Sequence, residues 1–153
     1  MITGDIERRL QALEDIEAIR QLKVRYCHSV DAYDAETTAS FFTEDAVFDV
    51  GARGRCEGRQ QVLEFFKGSR ERLPFFVHML LNPIIDVDGD TATGSWYLLQ
   101  ASTVGQTNEA VWGCARYDDE YVRVDGKWMF KNVTVTMFFW TPFDQGWVKT
   151  RVV

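Results

Sequence analysis

The first 30 residues repeat apolar side chains at intervals of three or four, which is the spacing of an α-helix. This pattern predicts a helix over residues 5–30 with one face buried against a core. The apolar face carries Ile6, Leu10, Leu13, Ile16, Ile19, Leu22, Tyr26 and Val30. The opposite face is expected in solvent and carries Glu7, Arg8, Arg9, Glu14, Glu17, Arg20, Lys23 and Arg25. Asp31 follows directly after the predicted helix.

Shorter segments occupy the chain up to residue 68. Residues 34–42 predict a second helix, whose first turn Asp34 can cap. Residues 46–50 predict a strand, and the glycine-rich run 51–55 is typical of a turn or hairpin. A third helix is predicted over 60–67. The first half of the chain is therefore mainly helical.

From residue 75 the pattern changes to a period of two, interrupted by turn residues. Asp88-Gly89-Asp90 and Asp125-Gly126 are strong hairpin signals. Asn82-Pro83 predicts a bulge or an edge position, because proline cannot donate to a sheet ladder. The predicted strands are 75–86, 91–102, 109–124 and 127–140.

The order of these elements indicates an α+β fold in one domain spanning 1–153. A strongly curved antiparallel or mixed sheet can wrap around the N-terminal helices with its apolar face inward. The result is a cone-like, barrel-like shape with a cavity between helices and sheet. The tail after Thr141 is expected on the surface, docked through Trp147.

The composition limits the partners and the compartment. A formal net charge of −6 and the absence of a basic run argue against nucleic acid and anionic membranes. Three widely spaced cysteines lack zinc-site spacing, so no metal is expected and reduced thiols in the cytoplasm are the simplest account. No apolar run approaches the ~18 residues of a membrane helix, and the N-terminus lacks an apolar signal core. We therefore expect a cytoplasmic protein.

Aromatic residues are abundant, with five Trp, five Tyr and eleven Phe. Large rings fill cores, line apolar pockets or cover subunit interfaces. We therefore expect a small hydrophobic ligand in the cavity and an apolar outer sheet face that forms a homo-oligomer. The candidate substrate contacts are Phe42, Trp96, Gln100 and Trp112. Trp96 and Trp112 can equally belong to the core or to an interface.

The candidate chemistry centres on His78, which lies in the apolar run 75–80. Imidazole titrates near neutral pH and is the usual proton carrier. A lone histidine in an apolar strand is more often a packed core residue. The cone-like fold, however, can place the end of the first helix, with Tyr26 and Asp31, opposite His78. The other histidine, His28, is expected in solvent.

Several segments resemble SnoaL-like proteins of the nuclear transport factor 2-like superfamily. The segments are 15–26 with Asp31, His78-Met79, Asn82-Pro83, 88–98 and 126–128. The resemblance covers roughly residues 10–145 and implies the α+β cone. It is strongest to bile-acid 7α-dehydratase, with scytalone dehydratase and hexachlorocyclohexane dehydrochlorinase more distant. It also implies a trimer or a dimer.

The resemblance implies a lyase with an Asp31–His78 dyad as base, Tyr26 as hydrogen-bond donor and no cofactor. The implied substrate is a steroid-like, terpenoid or polyketide-like hydroxylated carbonyl compound. Gln100 departs from the bile-acid enzyme, which has an acid at this position, so the donor of the leaving-group proton is open. An isomerase or cyclase that uses the same base, and a non-catalytic ligand-binding module, remain alternatives.

Overall fold

The computed structural model describes residues 2–151, which form an α+β fold built on one mixed sheet. The helices are α1 (Ile2–Asp31), α2 (Ala35–Ser40), α3 (Arg59–Lys67), α4 (Ser69–Arg72) and α5 (Gly146–Lys149), with a 3-10 turn at Gly51–Arg53. The strands are β1 (Phe42–Asp49), β2 (Arg55–Glu57), β3 (Phe75–Asp88), β4 (Thr91–Val104), β5 (Glu109–Val124) and β6 (Lys127–Pro142).

The six strands lie in the order β2-β1-β6-β5-β4-β3, so the sheet is open and β3 is an edge. All neighbours are antiparallel except β1 and β6, which run parallel. The buried half of α1 lies against the concave face, with Ile19, Leu22, Tyr26 and Val30 in the core. The predicted cone-like α+β architecture with a curved mixed sheet is confirmed.

The turn signals place the four long strands correctly. The Asp88–Asp90 and Asp125-Gly126 turns join antiparallel neighbours, and Asp125 and Gly126 both have positive φ, as a type I′ hairpin requires. The pairing of β3 with β4 shifts register between Leu81 and Ile84, so the bulge predicted at Asn82-Pro83 is confirmed. Asp34 caps α2, because its Oδ1 accepts from Thr37 N at 3.0 Å.

Several boundary predictions are wrong, and β3 and β4 each run two residues past their predicted ends. The second helix ends at Ser40, and Phe42 begins β1 instead of completing that helix. Burial explains the change, because Phe42 is fully buried as part of the sheet and pairs with Phe130 of β6. The last strand runs two residues past the prediction to Pro142, and Thr141 is buried. Trp147 does dock on the sheet, with its ring 5.0 Å from that of Phe139, although 60% of the residue is exposed.

The apolar face predicted for the first helix is only half buried. Ile6, Leu10 and Leu13 are more than half exposed, because the N-terminal half of α1 extends beyond the sheet that covers its second half. Lys23, predicted on the solvent face, is completely buried beneath the sheet. Helical periodicity describes the faces of a helix, but the surrounding structure decides which stretch of it is covered.

Several large apolar side chains remain exposed on the outer face of the sheet near its β3 edge. They are Phe75, Val77, Leu81, Ile84 and Tyr97. Apolar patches on a sheet face often cover subunit contacts. The homo-oligomer remains a prediction. None of the helices within residues 2–151 is long and apolar enough to cross a membrane.

Asp15 joins the middle of α1 to the β5–β6 hairpin. Its carboxylate accepts from Arg123 Nη2 at 2.8 Å and from Trp128 Nε1 at 3.2 Å. Asp15 is nearly inaccessible to solvent, so these charge-assisted bonds replace its lost hydration. The hydrogen bond from Arg123 holds the pKa of Asp15 below its ordinary value.

Asp15→Asn is expected to lower the free energy of unfolding by about 1–3 kcal/mol at pH 7. A carboxyl whose pKa is depressed by folding stabilises the protein above its unfolded-state pKa of 3.8 and loses that contribution as pH falls through the folded-state value. The difference between variant and wild type should therefore shrink below pH 4. Denaturant unfolding across that range measures it. A difference that stays constant with pH would contradict the assignment.

Candidate active site

A cavity of about 570 Å³ opens between the concave face of the sheet and the helices. Its volume lies in the range typical of small-molecule sites. Its wall is mainly apolar and aromatic, with contributions from α1, α3, β1 and the four long strands. Representative wall residues are Tyr26, Val30, Phe66, Leu98, Tyr117 and Met137. Such a wall suits a hydrophobic molecule with few polar groups.

One register row crosses the four long strands along this wall. His78 on β3 pairs with Gln100 on β4, Gln100 with Gly113 on β5, and Gly113 with Trp140 on β6. His78, Gln100 and Trp140 all line the cavity. A Cβ on Gly113 would lie 2.6 Å from the Trp140 ring, so the missing side chain leaves room for that ring over β5. The row therefore carries polar groups at one end and an indole at the other.

His78 contacts Asp31 at the junction of α1 and β3. The ring Nδ1 lies 2.6 Å from Asp31 Oδ1, and the backbone N–H of His78 donates to both carboxylate oxygens at 3.2 Å. That N–H is free for Asp31 because β3 is the edge of the sheet. The bonds also compensate a carboxylate at the C-terminal end of a helix, where the helix dipole disfavours it.

The contact determines the chemistry of the His78 ring. An ionised carboxylate can only accept, so we assign the ring proton to Nδ1 and a free lone pair to Nε2. His78 lines the cavity whereas Asp31 does not, so Asp31 lies behind the ring. The side chain of His78 is only 10% exposed and packs edge-on against Phe76. The imidazole is thus held in one orientation and can act as a base.

Tyr26 lies deeper in the cavity and is 1% exposed. Its ring packs edge-on against Phe42, Phe66, Tyr117 and Phe130, with centroids 5.2–6.4 Å apart. Burial raises the pKa of Tyr26 well above its ordinary value, and the same holds for the pKa of Tyr117. Both hydroxyls therefore stay protonated and can donate hydrogen bonds.

A buried ion pair lies beneath these tyrosines. Lys23 Nζ is 2.8 Å from Asp119 Oδ2 and 3.5 Å from the centroid of the Tyr117 ring. Tyr121 donates to the same Asp119 oxygen at 2.7 Å. Burial raises the pKa of Asp119, and the ammonium of Lys23 opposes that rise. The pair joins α1 to β5 but offsets the lost hydration of the two charges only in part, since Asp119 Oδ1 is buried without a hydrogen-bond partner among the described residues.

Of the four predicted substrate contacts, Gln100 alone lines the cavity. Gln100 is 7% exposed, and its Nε2 donates to Ser102 Oγ at 2.9 Å. Trp96 is on the same face but nearer the closed end of the cone, where its Nε1 donates to Tyr121 at 3.1 Å. Phe42 is fully buried in the ring cluster around Tyr26. Trp112 lies between the buried residues Val111, which lines the cavity, and Gly113, so by the alternation of the strand it belongs to the outer face.

The structure places Phe42, Trp96 and Trp112 outside the cavity wall, so their contact with a substrate stays a prediction that the cavity does not support. Tyr117, Trp140 and Arg53 line the cavity and were not among the predicted site residues. The period-two alternation of β5 could have identified Tyr117 once an inward position was known, whereas the bulge between Met137 and Phe139 takes Trp140 out of the alternation of β6. Arg53 gives no such signal, since it lies in the short turn after β1.

Metal ligation has no obvious location. Over the part of the chain with assigned coordinates, no group of three or more His, Cys, Asp and Glu side chains could hold an ion. Cys27, Cys56 and Cys114 are free, and burial raises the pKa of the Cys27 thiol to about 12. A thiol with this pKa stays protonated and is a poor nucleophile.

Several known proteins are similar to this chain in sequence and in fold. An uncharacterised protein of Mycobacterium tuberculosis is 30% identical over 118 residues, covering 76% of this chain and 80% of the relative. The hexachlorocyclohexane dehydrochlorinase LinA-type3 of Novosphingobium barchaimii is 26% identical with a TM-score of 0.82, covering 88% of this chain and 94% of that one.

A third similarity concerns the fold alone. A protein provisionally assigned as a scytalone dehydratase, from Novosphingobium aromaticivorans, has a TM-score of 0.79 at 21% identity, covering 92% of this chain and 94% of that one. The SnoaL-like domain family matches residues 11–134, a span that includes Asp31, His78 and the whole cone except the end of β6. The chain belongs to the SnoaL-like domain family.

Proposed function

We propose that this protein is a cofactor-independent lyase that removes a proton next to a carbonyl group in a hydrophobic substrate. The observation that carries the proposal is the contact of 2.6 Å between His78 Nδ1 and Asp31 Oδ1 at the wall of an apolar cavity. The name of the structural relative LinA-type3, a dehydrochlorinase, supports elimination chemistry in this family.

The base is His78, and Asp31 positions it. With the proton on Nδ1 directed to Asp31, Nε2 can accept a proton from substrate carbon. Asp31 then stabilises the imidazolium that forms, since the charge develops beside a carboxylate. The mainly apolar wall limits competition from water for both groups.

Tyr26 is the proposed donor to the developing oxyanion. As the C–H bond breaks, its electron pair moves toward the carbonyl and charge builds on the carbonyl oxygen. A neutral hydroxyl in a site of low polarity stabilises that charge more than water would. The bond from carbon to the leaving group then breaks, and a carbon–carbon double bond forms.

The fate of the proton depends on the leaving group. The position where an acid was expected is Gln100, which cannot donate and recover a proton. Among the wall residues within 2–151, Glu109 is the one carboxylate. We therefore propose that His78 returns its own proton to a departing hydroxyl, giving water. A departing halide would need no proton.

Isomerisation or cyclisation is the second candidate. The observation in its favour is that Glu109 is the one carboxylate on the described cavity wall, because a single base that moves a proton between two carbons needs no leaving-group acid. Mass spectrometry separates the two candidates. Elimination lowers the product mass by one water or one hydrogen halide, whereas isomerisation leaves it unchanged.

His78→Ala and Asp31→Asn are each expected to lower kcat for a β-hydroxy ketone by about 10²–10⁴-fold, because one removes the base and the other its orienting partner. The double variant should be little worse than the worse single variant, since the two residues act as a unit. Steady-state kinetics on a panel of β-hydroxy and β-halo ketones measures both effects. His28→Ala is the control, because His28 is exposed on α1 and away from the cavity.

In one outcome, the wild-type protein turns over none of the compounds of the panel, while His78→Ala still binds ligand. That result would favour a non-catalytic binding module. Full turnover in both single variants would contradict the proposed base.

Tyr26→Phe should lower kcat by about 10²–10³-fold with a smaller effect on KM, because a hydrogen bond that strengthens in the transition state is lost. The ring cluster around Tyr26 keeps its packing in this variant, so the melting temperature tests for a merely structural effect. Tyr97→Phe on the outer face is the matched control. An unchanged kcat in Tyr26→Phe would exclude this hydroxyl from the mechanism.

A further inference from the structure

Two guanidinium groups line the cavity, one from the turn after β1 and one from the helix just before β3. Arg53 ends the 3-10 turn after β1, and Arg72 ends α4. Arg72 is held in place, since its Nη2 donates to Phe65 O at 2.6 Å and to Ser69 Oγ at 3.3 Å. Arg53 has no comparable hydrogen bond within the described part of the chain.

Neither guanidinium pairs with a carboxylate in the described part of the chain. Between residues 2 and 151, no carboxylate oxygen lies within 4.0 Å of Arg53 or Arg72. This is unexpected in a chain with a net charge of −6. Arg55, two residues after Arg53, pairs with both Asp49 at 2.8 Å and Glu57 at 3.2 Å. The cavity arginines are thus left without the carboxylates that their neighbour uses.

Arg53 is fixed against the wall by an aromatic ring. Its Cζ lies 4.1 Å from the centroid of Trp140, which is itself 5% exposed. Stacking on an indole orients a guanidinium and leaves its edge free to form paired hydrogen bonds. Arg53 is an exposed residue overall, and desolvation of its guanidinium where it packs against the wall lowers the pKa of Arg53 from its ordinary value.

The register row relates Arg53 to His78. Trp140, on which Arg53 stacks, is three strands away from His78, and neighbouring strands are about 4.8 Å apart. The separation along the sheet is thus roughly 14 Å, and the Trp140 ring shortens it to about 10 Å because it lies over Gly113. A molecule with two or three fused or linked rings spans this length.

We propose that the natural substrate is an amphipathic acid, with an anionic group bound by Arg53 about 10 Å from the carbon that His78 deprotonates. Arg72 adds a second positive charge to the same cavity, against the single carboxylate of Glu109. The inference deepens the proposed lyase function, since it assigns the substrate class of that site. The apolar wall between the two ends holds the ring system.

Carboxylates, sulfonates and phosphate esters all carry the negative charge that Arg53 would bind. The planar fork of arginine matches a carboxylate in a bidentate arrangement, and it also binds tetrahedral anions. Matched ligands therefore have to differ only in this group. Biphenyl-4-carboxylate, biphenyl-4-sulfonate and biphenyl-4-yl phosphate supply the three anions, and biphenyl-4-carboxamide is the neutral counterpart.

Isothermal titration of these four ligands into the wild-type protein is expected to show at least one anion binding about tenfold or more tightly than the amide. The rank order of the three anions identifies the group. In Arg53→Gln the preference should fall to about twofold or less, and high salt should weaken the anion more than the amide. Affinity for the amide should change little, because the apolar wall is intact.

Arg70→Gln is the matched control. Arg70 also has no carboxylate within 4.0 Å among the described residues and stacks on a ring, Tyr33 at 5.3 Å, but it does not line the cavity. This variant should keep the full anion preference. Equal binding of all four ligands to wild type, or an anion preference that survives in Arg53→Gln, would overturn the proposal.

The same titration with His78→Ala separates this inference from the lyase proposal. The variant should retain the anion preference, because Arg53 lies at the other end of the cavity. An anion preference in a wild-type protein that shows no elimination activity overturns the lyase assignment alone. Elimination activity with no preference for an acidic ligand overturns the anion site alone.

Discussion

The geometry of the site depends on the carboxylate of Asp31, which connects α1 to β3. It ends α1 at a position where the helix dipole disfavours a negative charge, and the edge strand β3 compensates it with one backbone N–H and one imidazole nitrogen. The same contact closes an exposed sheet edge and holds the His78 ring in one orientation. A single interaction, between residues that are 47 positions apart, therefore both attaches α1 to the sheet and orients the imidazole.

Asp15 supplies the second attachment of α1, to the hairpin of β5 and β6. Between Asp15 and Asp31 one face of the helix is buried, and before Asp15 the helix extends into solvent. The carboxylates of Asp15 and Asp31 thus attach the two ends of the helical stretch that carries Tyr26. They keep Tyr26 at a constant position relative to His78, which a hydrogen-bond donor to a reacting carbonyl requires.

The long strands could be predicted because their turns carry specific chemistry, as Asp125-Gly126 shows. Asp31, Tyr26 and His78 could be named because they match a family motif. The aromatic substrate contacts could not be predicted from residue type. Trp112 points outward because the pleat alternates, and Trp96 and Phe42 are buried in the narrow end of the cone, where rings serve packing.

The sequence by itself determined the three main helices, the four long strands and their order, because these depend on local periodicity and turn residues, whereas the short elements β2, α4 and α5 were not predicted. Only the tertiary structure decided which charges are buried and which lack a partner. Lys23 repeats with the charged face of α1 yet lies under the sheet against Asp119, and Arg53 lies in an ordinary polar turn yet faces the cavity over Trp140. The burial of Lys23 and the position of Arg53 both depend on contacts with strands that are distant in sequence. Local sequence patterns carry no information about such contacts. Asp31 shows the same limit, since its role depends on the strand edge that meets it.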